Sequence, residues 1–180
     1  MELNYSLNEN DFLEYQLYAA SKSENIKSQR RRNLVIMIVI FIAFFISIYS
    51  STKKFPILPL IGYIILIIIY KIYETYRYKN HYKKFIRENY KERFGLVCTL
   101  NFGENDITEE SKLGQSKINY ESLTEINEIQ NYYFLKILTG QSLIIPKKEI
   151  KNMEQFRSLL AQIKSKYKIP ENIELNWKWK

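Results

Sequence analysis

Cysteine and histidine are almost missing from this 180-residue chain, with one of each, Cys98 and His81. A single cysteine forms no internal disulfide, and one Cys with one His cannot build a zinc site from those ligand types. A Ser-His-Asp arrangement would have to use His81, on a segment that reads as an exposed helix. The motifs G-x-G-x-x-G, G-x-x-x-x-G-K-[ST] and H-E-x-x-H are absent as well, which removes the usual phosphate loops and zinc protease site. Glu109 and Glu110 are adjacent on a predicted strand and so point to opposite faces, poor geometry for paired acid/base work. No catalytic residue, cofactor or metal is therefore expected, and the chain reads as a non-enzyme.

Charge is missing from two long stretches. Asn33 to Ser51 reads NLVIMIVIFIAFFISIYSS, and Phe55 to Tyr73 reads FPILPLIGYIILIIIYKIY, uncharged through Tyr70. About 19 residues at 1.5 Å each give roughly 28 Å, the hydrocarbon thickness of a bilayer. The mean hydropathy of −0.30 averages these blocks with a remainder rich in Lys, Glu, Asn and Tyr, and describes neither. A core helix normally keeps a polar stripe, which both blocks lack. The first begins too far into the chain, and is too long, for the apolar region of a cleaved signal peptide. With only Ser50 to Lys54 between them, the expectation is a transmembrane helical hairpin, spans 33–51 and 55–73. Neither span has the G-x-x-x-G pair of a dimer seam, nor the internal acid, Arg or His that a proton path requires.

The net charge of +8 is concentrated beside these blocks. Lys22, Lys27, Arg30, Arg31 and Arg32 precede the first with Glu24 as the one nearby acid. Lys71, Arg77, Lys79, Lys83, Lys84, Arg87, Lys91 and Arg93 follow the second, against Glu74, Glu88 and Glu92. The turn carries only Lys53 and Lys54. By the positive-inside tendency both termini lie in the cytoplasm, as in a multi-pass inner-membrane protein. Anionic lipid headgroups attract each basic residue near the surface by about 1 kcal/mol, which explains the basic surplus without nucleic acid as a partner. The interface residues are Arg30, Arg31, Arg32, Lys71, Arg77, Lys79, Lys83 and Lys84, accompanied by tyrosines from Tyr63 to Tyr90.

The remainder divides into N-terminal cytoplasmic residues 1–32, a stalk helix 74–94, a domain at 95–168 and a tail at 169–180. Glu2 to Leu7 suits a strand, and Asp11 to Ser23 a helix with Phe12, Tyr15, Leu17 and Tyr18 inward. The stalk ends at Gly95, a good helix stop. Beyond it Leu96, Cys98, Leu100 and Phe102 alternate with Val97, Thr99 and Asn101, a strand pattern. Further short strands are expected at Ile107 to Ser111, Gln115 to Tyr120, Leu123 to Ile129, Tyr132 to Leu138 and Gln141 to Ile145. This spacing predicts a small antiparallel sandwich or barrel, with Cys98 as a small core residue. A helical period returns with Ile150, Met153, Phe156, Leu159, Leu160, Ile163 and Tyr167, started by Asn152 with Gln155. The Trp177-Lys178-Trp179-Lys180 alternation suits either an edge strand or an interfacial contact.

Ile118-Asn119-Tyr120, Leu123, Ile126, Tyr133, Leu135, the run Leu143-Ile144-Ile145-Pro146-Lys147-Lys148, and Phe156 with Leu159 together resemble the YcxB-like family of bacterial membrane proteins. The resemblance covers the spans and residues 95–165. It implies a pleckstrin-homology-like (PH-like) cytoplasmic domain and carries over no catalytic residue. The fold class expected is thus an α+β membrane protein: a two-helix hairpin plus a PH-like antiparallel β-sandwich or barrel capped by a C-terminal helix. The function expected is a membrane-anchored interaction or regulatory module with a protein partner. The alternatives are binding of a lipid or small hydrophobic ligand, with Lys147 and Lys148 near headgroups, or an accessory subunit of a membrane enzyme or transporter.

Overall fold

Alternating side chains become strands, and uniformly apolar runs become long helices, in a computed structural model that describes Met1–Lys180. The order is β1 (Glu2–Ser6), α1 (Glu9–Lys22), α2 (Glu24–Thr52), α3 (Ile57–Asn89), β2 (Val97–Phe102), β3 (Asp106–Ser111), β4 (Gly114–Asn119), β5 (Leu123–Ile129), β6 (Tyr132–Ile137), β7 (Ser142–Pro146), α4 (Met153–Tyr167) and β8 (Glu171–Glu174). The chain is α+β, with four α-helices and two four-stranded, largely antiparallel sheets. It divides into two compact units, Met1–Tyr15 with Phe85–Lys178, and Gln16–Lys84 with Trp179–Lys180.

In the first unit one sheet runs β1-β2-β3-β4 and the other β7-β6-β5-β8. The period of two is plain in β1, where Leu3 and Tyr5 are buried and their neighbours exposed. Leu3, Tyr5, Leu100 and Ile107 of the first sheet share a core with Ile126, Tyr133, Leu135 and Ile145 of the second. Helix α4 closes that core with Phe156, Leu160 and Ile163. Phe156, fully buried, meets Phe102 edge-on at 5.7 Å and Tyr133 at 5.2 Å, so one ring joins both sheets. The Asn152 side chain caps α4, accepting from the Gln155 N–H at 3.0 Å.

The second sheet is covered on both faces. Tyr133, Phe134 and Leu135 are consecutive in β6 and all buried, although successive strand residues point opposite ways. On the face away from α4 the start of α1 supplies the cover. Tyr15 packs on Phe134 at 5.4 Å, and the Tyr132 hydroxyl donates to the buried Asp11 carboxylate at 2.7 Å.

Two expectations need correcting. The stalk helix does not continue to Phe94: α3 ends at Asn89, and a 3-10 turn, Lys91–Arg93, follows. Phe12 draws Tyr90 and Phe94 into ring contact at 5.2 and 5.8 Å, and Gly95, at φ +71°, donates its N–H to the Leu7 carbonyl. The second sheet is not purely antiparallel either. The tail's strand is Glu171–Glu174 rather than the Trp/Lys alternation, and it pairs parallel to β5. A parallel neighbour needs a long crossover, which α4 supplies.

The second unit holds α2 and most of α3. The Ser23 side chain caps the start of α2, and Lys53, in the left-handed region at φ 55°, ends it by donating its N–H to the Tyr49 carbonyl. Pro56 precedes the first turn of α3 and Pro59 lies within it, where absent N–H groups cost little. Phe41 stacks on Tyr63 at 3.7 Å and Phe45 meets Phe55 edge-on at 5.3 Å. No residue of α2 is buried. Both helices are long and apolar enough to cross a membrane.

Candidate functional site

Helix α3 turns from apolar to polar at Lys71. Residues 71, 74, 75 and 78 follow at helical spacing, so Lys71, Glu74, Thr75 and Tyr78 share one face. Arg30 of α2 meets this face. Glu74 is 1% exposed, and its Oε2 lies 3.1 Å from Arg30 Nε and 3.2 Å from Lys71 Nζ. A carboxylate taken this far from water is costly unless cations offset it, and here two do. The other oxygen, Oε1, is buried without a hydrogen-bond partner.

Aromatic rings surround the arginine. Its guanidinium carbon lies 5.2 Å from the Trp179 ring and 5.9 Å from the Tyr78 ring, and the two rings meet edge-on at 5.7 Å. Stacked guanidinium faces leave the N–H edge free for in-plane acceptors. Arg30 Nη2 donates to the main-chain oxygen of Lys180, the last residue, at 2.8 Å, while Trp179 Nε1 donates to the Thr75 carbonyl at 3.3 Å. The result is a fixed cation beside a fixed carboxylate, closed by the tail.

The sheet unit has its own buried ion pair. Glu128 of β5 accepts from Lys147 Nζ at 2.6 Å, with Arg157 Nη2 at 3.5 Å, and Lys147 lies 4.9 Å from the Tyr133 ring centre. Arg157 Nε also donates to the Tyr133 hydroxyl at 3.3 Å. This cluster ties α4 and the segment after β7 to the middle of the second sheet. Elsewhere Cys98 is half-buried beside the core rather than within it. Burial, and then the neighbouring Glu109 carboxylate, push its thiol up to about 12, so it is a poor nucleophile.

Residues 102–162 match the YcxB-like protein family. The match agrees with the resemblance read from the sequence and runs from the end of β2 through β7 into α4. Neither a search of curated proteins nor one of solved structures gives a match. The YcxB-like region therefore includes the Glu128, Lys147, Arg157 and Tyr133 cluster and excludes the Arg30 and Glu74 site.

Of the eight interface residues named from the sequence, the structure gathers Arg30 and Lys71 on one carboxylate. Arg77 lies over the Tyr78 ring at 5.6 Å. Arg31, Arg32, Lys79 and Lys84 are exposed, and Lys83 is half-buried. Lys147, named with Lys148 as a headgroup contact, is engaged with Glu128 in the YcxB-like region and has a 14% exposed side chain. Sequence reasoning missed Glu74 as a centre and Trp179 as its cover. The first acid after the apolar run, three residues beyond Lys71, was the available signal for Glu74; nothing local marked Trp179.

Proposed function

We propose that the chain is a bacterial inner-membrane protein in which α2 and α3 cross the bilayer as a hairpin. Both termini are cytoplasmic, and the β-rich unit serves as a PH-like interaction or regulatory module at the inner surface, engaging a protein partner rather than catalysing a reaction. The observation that carries this reading is the apolar exposure of both helices. Ile40 is 64% exposed, Ile46 61%, Ile69 60% and Leu58 81%, away from the half-buried seam of Phe41, Phe45, Tyr63 and Ile67. Hydrocarbon is the solvent that suits such a surface, and soluble proteins rarely show apolar patches beyond a few hundred Å². The charge asymmetry between the outer flanks and the Lys53-Lys54 turn supports the orientation. Two four-stranded sheets around one core, with seven of the eight strands antiparallel and a closing helix, support the PH-like reading.

Single-cysteine labelling tests it. In a Cys98→Ser background, Lys53→Cys should react with a membrane-impermeant maleimide in intact cells, and Lys178→Cys only after permeabilisation. Labelling of position 178 from outside, or recovery of the chain as a monomer in detergent-free buffer, would overturn the reading.

A further inference from the structure

We infer that β4 is a pairing edge for a second copy of this chain: two β4 strands (Gly114–Asn119) join antiparallel about Ser116, so that the first sheets of both copies become one continuous sheet. The inference stands on the first unit alone and goes beyond the membrane reading, which it does not require.

The other sheet edges are closed or blunted. β7 is buried from Leu143 and ends at Pro146, which has no N–H to offer. β1 lies against the 3-10 turn Lys147–Glu149. β8 is short and carries Glu171 and Glu174, the kind of charged edge that discourages pairing. β4 differs: it keeps an unbroken register with β3, is exposed from Gly114 to Lys117, and has neither proline nor bulge. Its one charge, Lys117, is held by Asp106 at 3.1 Å within the same sheet.

The turn Lys112-Leu113 makes Ser111 and Gly114 a hydrogen-bonded pair, and bonded pairs then alternate, Glu109 with Ser116 and Ile107 with Ile118. The N–H and C=O of Gln115 and Lys117 therefore point away from β3, into the open edge. A strand that meets them must offer its own outward groups at the same spacing, which a second β4 does. Two-fold pairing about Ser116 sets Gln115 of one copy opposite Lys117 of the other, amide against ammonium, with the two small Ser116 side chains facing each other. Pairing about Lys117 would set two lysines directly opposite, and pairing about Gln115 would run into the turn. One strand pair covers far less than the roughly 1,600 Å² of a standard complex, so the dimer is weak and forms at high local concentration.

Disulfide trapping tests it. In a Cys98→Ser background, Ser116→Cys sets two thiols at a non-bonded pair whose Cα atoms lie about 4.5 Å apart, within disulfide range. The full chain in concentrated maltoside micelles is oxidised with copper phenanthroline, and the dimer is followed on non-reducing gels. Ser116→Cys should dimerise at least about tenfold faster than Lys112→Cys, exposed at the hairpin tip, because only position 116 holds both thiols in reach. Mixed Gln115→Cys and Lys117→Cys chains should crosslink to each other more than either does to itself. Adding Lys117→Pro removes an outward N–H and no bond to β3, and should lower the Ser116→Cys rate to that of Lys112→Cys. Far-UV circular dichroism confirms that this variant is folded; if it is not, Gln115→Pro, which removes the other outward N–H, takes its place. Equal rates at positions 112 and 116 mark random collision and overturn the edge, as does a rate unchanged by proline in a folded chain. Self-crosslinking of Lys117→Cys as fast as the mixture overturns the register. Crosslinking of Ser116→Cys to a different polypeptide in native membranes, and not to itself, overturns the second copy in favour of a partner's strand. A chain that needs no detergent is measured the same way in plain buffer, so failure of the membrane reading and failure of the β4 edge are distinguishable.

Discussion

Phe156→Ala should remove the one ring that ties both sheets to α4. The side chain is fully buried and lies within ring-contact distance of Phe102 from the first sheet and Tyr133 from the second. Truncating a buried phenylalanine costs about 3–5 kcal/mol, from lost transfer energy plus the cavity left behind. Two lost aromatic pairs place this site toward the upper part of that range. The cavity cannot readily collapse, because its walls are two hydrogen-bonded sheets and a capped helix. Domains have only about 5–15 kcal/mol of stability in total, so the variant loses a large share. With a urea dependence of about 1.5 kcal/mol per molar, the unfolding midpoint of the β-rich unit falls by about 2–3 M. Pulse proteolysis of the full chain in micelles across a urea series reads this directly, with Leu138→Ala, at a 78% exposed position, as the control expected to change little. A loss below about 1 kcal/mol for Phe156→Ala, or an equal loss for Leu138→Ala, would refute the role given to this ring.

Asn152→Ala leaves the Gln155 N–H without its cap and should cost about 1 kcal/mol in the same assay. Lys147→Met takes from the nearly buried Glu128 its short cation partner, leaving the longer Arg157 contact and the Tyr133 hydroxyl, and should cost about 2 kcal/mol, while adding Glu128→Leu should recover much of it. Recovery absent from the double variant would show that the pair matters for more than mutual neutralisation. Cys98 should react with iodoacetamide at pH 8 at least about tenfold more slowly in the folded chain than in urea, because burial holds its proton. Its folded value, about 12, lies above the unfolded value near 9.0, so its contribution is fully present below pH 9 and is lost as pH rises toward 12. Cys98→Val should flatten that part of the alkaline decline in the urea midpoint.

The helices and most strands were legible because each follows from neighbours in sequence. Uniform apolarity in 33–51 and 55–73 can only become a helix without a polar stripe, and the alternation from Val97 to Phe102 can only become a two-faced strand. Asn152 with Gln155 marked the start of α4 for the same reason, since a cap is a three-residue event. Consecutive burial of Tyr133, Phe134 and Leu135 was not legible, because it depends on α1 covering the face that α4 leaves. The end of α3 depends likewise on Phe12, far back in the chain, capturing Tyr90 and Phe94.

Amino-acid order alone thus determined where charge is missing, where it gathers, and which residues bear the resemblance at 102–162. Tertiary structure decided that Glu74 is a buried centre rather than one more flank charge, that β8 joins β5 in parallel, and that Trp179 covers Arg30. These are pairings between residues tens of positions apart or more, Thr75 and Trp179 by 104. Periodicity encodes which face of an element is apolar, but the partner of that face is chosen only when the whole chain closes on itself.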